Sequence, residues 1–404
     1  MQIRLILAAL RKHRLATLLI ALEIALACAV LCNAGFLIAN RVAQMQVQSG
    51  VDEAALGVIS LQGFAPEQAV DLNARVLAGL RAIPGIESVS VINAVPFGEH
   101  AGTAGITSDQ AGKQFAGVPH FYVAGPGAFE ALGLHVVAGR APAAGDYAPI
   151  TKFVPKEAQV LVTRALAEHI WPGQPALGKV FWGFDTSFRV IGVLDHFVRP
   201  SPPGFGPGQE QWSIFVPAQP GPQLAGRYLI RTEPRDLDRA MLAAENTMRR
   251  IAPDVVVNRD QTQPIPVLRE RAFLADRAMT GLLTGVIAAL LGITAFGIVG
   301  LTSFWVAQRR KQIGIRRALG ATRVDILRYF QTENFLIVTF GVVLGVLLAI
   351  AINLGLMSFF EVPRLPLWYL PVGAIALWLL GQLAVLAPAL RAAAVPPVVA
   401  TRGA

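Results

Sequence analysis

Residues able to do chemistry are thinly spread along this chain. The six histidines (His13, His100, His120, His135, His169, His196) form no H-E-x-x-H and no pair four apart, so no metal is expected. Gly112-Lys113 and Gly178-Lys179 are followed by Gln114 and Val180 where a phosphate-cradling loop needs Ser or Thr. G-x-S-x-G is absent as well. Cys28 and Cys32 share one helical face and read as small apolar packing groups, with lipid processing at Cys28 disfavoured by the preceding Ala25-Leu26-Ala27. Glu23 and Glu333 fall in or beside apolar runs, where an ionisable group is a functional candidate by default. For Glu23 the competing reading is a structural contact, to Arg11, Arg14 or another helix. Catalysis, bound cofactors and metals are therefore not expected of these residues.

Charge is what the chain concentrates. Gln308–Arg328 carries seven cations (Arg309, Arg310, Lys311, Arg316, Arg317, Arg323, Arg328) against the single anion Asp325. Ile313, Ile315, Leu319, Ile326 and Leu327 are interleaved with them, the pattern of short amphipathic helices. Gly320 reads as a stop, and Thr322 as the N-cap of a restart with Asp325 in its first turn. Two readings are open: a docking element for a cytoplasmic protein, or a plain retention loop obeying the positive-inside rule.

The elements around this stretch are apolar and long. Hydrophobic residues make up 54% of the chain and the mean hydropathy is +0.52. Runs at 15–39, 281–306, 335–356 and 367–390 each exceed the roughly 20 residues needed to cross a bilayer. Thirteen cations lie at the two ends and in the basic stretch, and the polar block between the first two runs is nearly neutral. The net +9 is thus a topology signal and not a nucleic-acid signal, placing both termini in the cytoplasm and the large domain outside.

Within that domain, 55–61 reads as a strand, and the segment from Pro66 as a helix with Val70, Ala74, Leu77 and Leu80 on one face. Ile86–Val95 is a strand again. The same order returns in Arg227–Arg231, Pro234–Ile251 (Leu237, Met241, Ala244 and Met248 on one side) and Asp254–Asn258. Two βαβ units suggest one ferredoxin-like sheet interrupted by an insert. The insert holds a strand and turn in Phe121–Arg140, strands at Ala158–Thr163, Phe188–Leu194 and Ile214–Pro217, a helix at Arg164–Ile170, and a Pro/Gly loop, Pro200–Gly208. The fold class expected is an α+β membrane protein with four transmembrane helices. A helix starting near Pro266 and running unbroken to Trp305 would span ~60 Å and form a stalk with an extended first helix. Gly281/Gly285 and Gly341/Gly345 are small-xxx-small pairs suited to close helix packing.

The divisions expected are 1–14 (basic amphipathic lead), 15–43 (first span and stalk), 44–270 (outer domain, with a porter-like part at 52–96 and 226–262 and an insert at 97–225) and 271–306 (stalk and second span). There follow 307–331 (basic loop), 332–356 (third span), 357–366 (outer loop), 367–390 (fourth span) and 391–404 (tail).

The run Arg310-Lys-Gln-Ile-Gly-Ile-Arg-Arg-Ala-Leu-Gly-Ala-Thr-Arg-Val-Asp-Ile-Leu327, followed by Thr332-Glu-Asn-Phe-Leu336, resembles the cytoplasmic signature of MacB/FtsX-like ABC permeases. Leu132-Gly133, Gly139-Arg140, Leu177-Gly178-Lys179 and Ile191-Gly192-Val193 are similar to that family's periplasmic domain. Gln312 replaces the family's usual Glu, and an acidic residue usual near the last Arg is missing. The resemblance implies a bacterial inner-membrane permease that couples to a cytoplasmic ABC ATPase, where ATP and Mg would bind. Coupling residues would be Arg309, Arg310, Lys311, Gln312, Gly314, Arg316, Arg317, Leu319, Gly320, Arg323 and Asp325. It further implies a dimer with a second copy or paralogue, and export with a periplasmic adaptor and outer-membrane channel by mechanotransmission. FtsX-like activation of a periplasmic hydrolase and lipoprotein release are the alternatives.

Overall fold

The computed structural model describes residues 14–99, 102–202, 208–360 and 364–394. The basic lead before Arg14, His100, the middle of the Pro/Gly loop (203–207) and the tail from 395 lie outside the described residues. The chain divides into two compact units, Met1–Ala43 with Asp276–Ala404, and Gln44–Ala275. The first element, α1 (Arg14–Met45), is an unbroken 32-residue helix, ~48 Å long at 1.5 Å per residue.

The α+β unit opens with β1 (Leu56–Gln62), α2 (Ala69–Arg81) and β2 (Ile86–Val91). Pro66 starts a 3-10 turn ahead of α2, where a missing N–H does no harm. The buried face of α2 is Ala69, Leu72, Val76 and Leu80, while Val70 is 59% exposed. This corrects Val70 and Ala74 of the expected face, while Leu80 is buried and Leu77 packs at the core's edge; the side turned inward also carries Asn73, whose Nδ2 donates to Leu224 O (2.9 Å).

The insert between the two βαβ units contains β3 (His120–Ala124), α3 (Ala128–Leu132), β4 (Val136–Gly139), β5 (Ala158–Thr163), α4 (Arg164–Ile170), β6 (Val180–Gly183), β7 (Thr186–Leu194) and β8 (Ser213–Pro217). Its sheet runs β3-β8-β5-β7-β4, with β6 hairpinned onto β7. β3 and β8 are parallel, as are β5 and β7. Phe121, Phe181 and Phe188 pack as a fully buried aromatic group under this sheet.

The second βαβ half supplies β9 (Arg227–Thr232), α5 (Leu237–Ile251) and β10 (Val256–Val257), and then β11 (Gln263–Pro264). The sheet order β10-β1-β9-β2, antiparallel throughout, is the ferredoxin-like arrangement, with β11 added onto β1. Leu237, Met241, Ala244 and Met248 of α5 are all buried. The sheets meet at Asn93: its N–H donates to Val123 O (2.9 Å), its Nδ2 to Phe121 O (2.8 Å), and its Oδ1 accepts from Val123 N (2.9 Å).

The helix expected from Pro266 to Trp305 is two helices, α6 (Ile265–Ala272) and α7 (Leu274–Gln308). The break falls at Phe273, whose ring is 1% exposed and 6.0 Å from Phe97 in the domain core. An aromatic ring drawn into that core takes its backbone out of the helical path. The chain closes with α8 (Arg310–Ala318), α9 (Arg323–Phe360) and α10 (Tyr369–Ala393). α9 begins within the stretch expected to be loop. Helices α1, α7, α9 and α10 are long and apolar enough to cross a membrane.

In the helical unit α1 lies close against α9 and α10 through glycines. A Cβ added at Gly341 would come within 2.8 Å of Ile24, one at Gly345 within 2.5 Å of Cys28, and one at Gly373 within 2.5 Å of the Cys32 sulfur. Both cysteines are buried free thiols. A Cβ at Gly281 or Gly285 meets no atom within 4 Å.

Substitutions probe both units. Gly345→Val forces Cys28 and the α1 backbone away and should destabilise the chain by about 1–3 kcal/mol; thermal unfolding in detergent reads this as a lowered midpoint that Cys28→Gly partly restores. Asp146 is held below the ordinary carboxylate range first by hydrogen bonds from Arg140, then by the Ala143 N–H (2.7 Å). A depressed carboxylate stabilises the fold above its unfolded pKa, and the gain fades as pH falls through the folded value. Asp146→Asn should therefore lose about 1.5–3 kcal/mol at pH 7 and converge on the wild type below about pH 4; a pH-independent difference would contradict this.

Candidate functional site: the basic helix between the second and third long helices

The stretch singled out by its charge folds as a helix with two caps. α8 ends in a Schellman motif: Gly320 sits at φ +100°, its N–H donates to Arg317 O (3.2 Å), and Ala321 N donates to Arg316 O (3.0 Å). α9 then starts with a reciprocal cap. Thr322 Oγ1 accepts from Asp325 N (3.2 Å), while Asp325 Oδ2 accepts from Thr322 N (2.9 Å) and Oγ1 (2.6 Å). The two caps satisfy the backbone groups that a helix–turn–helix would leave open.

One face of α8 is buried and the other is not. Ile313 inserts among Ile326 and Phe330 of α9 and Ala389, Ala392 and Ala393 of α10, with Gly314 buried beside it. Three cations serve that packing. Arg309 Nη1 lies 3.1 Å from both carboxylate oxygens of Glu333 and 3.4 Å from the Tyr329 hydroxyl. The Arg316 guanidinium lies 5.0 Å over the Tyr329 ring. Arg317 Nη1 donates to Ala393 O (3.2 Å) near the C-terminal end of α10, where the helix dipole favours a cation. Arg310, Lys311, Gln312, Arg323 and Asp325 are exposed. So are Ile315 (45%) and the tip residue Leu319 (84%), next to Gly320.

The remaining predicted residues fall elsewhere in the helical unit. Glu333 is 2% exposed and belongs to the root of α8 through Arg309. Glu23 lies between α1 and α7: a Cβ at Gly297 would sit 2.9 Å from its Oε2, and Thr294 of α7 is buried in the same helix turn as Gly297. Of its expected partners, Arg11 and the side chain of Arg14 lie outside the described residues.

Several residues that position these elements carry no motif. Arg41 of α1 pairs with Asp276 of α7. In the α+β unit, Arg269 of α6 donates to Met45 O (2.9 Å) and Val47 O (2.7 Å) at the end of α1, and to Glu53 (2.5 Å). Its guanidinium also lies 4.9 Å over Phe97. The sequence around Arg269 shows only a charged run ahead of the second apolar segment, which says nothing about a partner 222 residues away. Among the described residues no group of three His, Cys, Asp or Glu side chains is arranged to hold a metal ion.

Residues 17–255 match the MacB-like periplasmic core domain, and residues 284–397 match the FtsX-like permease C-terminal domain. The macrolide export ATP-binding/permease protein MacB of Marinobacter nauticus is 28% identical over 204 residues, 48% of this chain and 30% of its own length. The protein of the same name from Agrobacterium fabrum is 24% identical over 367 residues, 86% of this chain and 51% of its own length. The chain thus spans from under a third to about half of these relatives. The periplasmic region of MacB from Actinobacillus actinomycetemcomitans aligns with 52% of this chain and 89% of its own, at 14% identity and a TM-score of 0.35. With a MacB-like core matched over more than half its length and an FtsX-like domain over most of the rest, the chain belongs to the MacB/FtsX-like ABC transporter permeases, as a multi-pass membrane protein with a periplasmic domain.

Proposed function

We propose that these residues are the transmission part of an ABC export machine, and that α8 is where the ATPase engages. The observation that carries this reading is the two-sidedness of α8. Its inner face is anchored to α9 and α10 by Ile313, Arg309 and Arg317, while Leu319, Ile315, Arg310 and Lys311 face outward. A retention loop needs only the cations; a capped, anchored helix with an exposed leucine tip suits a cleft on a folded partner.

In this reading ATP and Mg bind a separate ATPase unit, which acts from the cytoplasmic side. Its closure displaces α8, and the displacement passes along α7 and α1, both of which continue covalently into the periplasmic domain. There Arg269 ties the end of α1 to α6. A second copy or paralogue completes the assembly, and cargo is handled in the periplasm with an adaptor and an outer-membrane duct. Export is favoured over hydrolase activation and lipoprotein release because the curated relatives are named for macrolide export.

Leu319→Asp tests the docking. With the ABC ATPase unit reconstituted in nanodiscs, stimulation of ATP hydrolysis should fall about tenfold or more, with an unchanged unfolding midpoint because Leu319 touches no core. Wild-type stimulation in this variant would sink the reading. Orientation has its own test. A thiol-reactive, membrane-impermeant probe on intact cells should label a cysteine at Phe115 and not one at Ile315, both exposed positions; the reverse pattern would invert the scheme.

A further inference from the structure

Arg309 is the only residue between the end of α7 and the start of α8. Its backbone departs from helical geometry (φ −99°, ψ 11°), yet hydrogen bonds run through it: Arg309 N donates to Trp305 O (3.0 Å) and Ile313 N donates to Arg309 O (2.9 Å). The joint is therefore a one-residue departure from helical geometry inside a continuous ladder, a place where side-chain contacts can add to what the backbone sets. The side chain reaches a third element. Nη1 is equidistant, at 3.1 Å, from the two oxygens of Glu333 on α9, and the guanidinium lies 5.6 Å from the Trp305 ring on α7. Tyr329, one turn before Glu333, adds its hydroxyl at 3.4 Å and stacks under Arg316 of α8.

Burying a carboxylate so completely is an expensive way to hold two helices together, since apolar side chains of equal volume hold as well or better. What an ion pair adds is direction: the cation has one favourable position relative to the carboxylate and the ring, and the bend is set with it. We propose that Arg309 and Glu333 are positioning residues that lock the α7–α8 angle, so that a force on the Leu319 tip moves α7 instead of being absorbed at the joint. The source of that force rests on the docking reading above; the locked angle does not.

The test separates the two. Spin labels at Phe296 on α7 and Ile315 on α8, both exposed, report the angle in nanodiscs, and the buried Cys28 and Cys32 do not compete for label. A reference pair at Val343 and Val372, exposed on α9 and α10, reports the bundle. Glu333→Gln should at least double the width of the 296–315 distance distribution and leave 343–372 unchanged. Arg309→Lys keeps the charge but gives up the planar stacking on Trp305, and should broaden the distribution even if Glu333→Gln folds poorly. In unlabelled chains the half-saturating concentration of the ATPase unit should stay within twofold of wild type while maximal stimulation falls fivefold or more. An unchanged 296–315 distribution in both variants overturns the proposal, as does a loss of stimulation explained wholly by weaker binding. If the wild-type chain stimulates no ATPase, the docking reading fails and the distance measurement still decides the lock.

Discussion

The second long helix is pinned at its two ends by ion pairs to different neighbours. Asp276 meets Arg41 of α1 at one end, and Arg309, directly after the other end, meets Glu333 of α9. Between those anchors α7 touches its own chain sparingly: 11% of its most apolar window is buried, against 56% for α1. Thr294, Ile298, Thr302 and Trp305 are its buried side chains apart from Asp276, and all lie in the half nearer Arg309. Few side-chain contacts of the described residues therefore resist a shift of this helix along its length. The rest of the helical unit behaves differently, because α1, α9 and α10 are interlocked through Gly341, Gly345, Gly373 and Gly381 at distances that leave no room for a Cβ.

The α+β unit handles its incoming helices by a related device. Carbonyls at a helix C-terminus have no intrahelical partner and carry partial negative charge. Arg269 takes the Met45 and Val47 carbonyls with a single guanidinium nitrogen and holds Glu53 with the other. Four residues later Phe273 anchors the same segment in the core with Ile265 and Leu268. Within the α+β unit, Met45 and Val47 are thus held by the polar contacts of Arg269, and the residue before α7 by an apolar one. Asn93 extends the coupling by bonding the ferredoxin-like sheet to the inserted one through three hydrogen bonds.

What could be read from the residues follows from how local each cause is. Turn glycines and caps are decided within a few residues, so Gly320 and Thr322 with Asp325 were legible. The motif glycines of the periplasmic domain also have local causes, since Gly133, Gly139 and Gly178 all take positive φ. Causes that act across the fold were not legible. The break at Phe273 depends on a core built from residues far away in sequence, and nothing in Phe-Leu-Ala-Asp announces it. The partner of Glu333 lies 24 residues earlier, so spacing rules for a single helix could not reach it. Gly281/Gly285 and Gly341/Gly345 look alike as a pattern, yet only the second pair meets another helix of this chain. The five-residue α3 falls below the length at which apolar periodicity identifies a helix.

Polar side chains inside the helical unit add a second kind of contact between its helices. Asn33 donates to Ala29 O and Ala349 O, Asn334 donates to Gly381 O, and Asn353 accepts from Leu365 N. The atoms named reach backbone of their own or a neighbouring segment, as interhelical polar groups in lipid do. The space among Ile20, Thr302, Trp305, Glu333 and Asn334 is about 10 Å³, at or below the room one water requires. The amide bonds of Asn33 and Asn334 thus run beside the glycine contacts, so that α1 is held to α9, and α9 to α10, by close packing and by hydrogen bonds to backbone together.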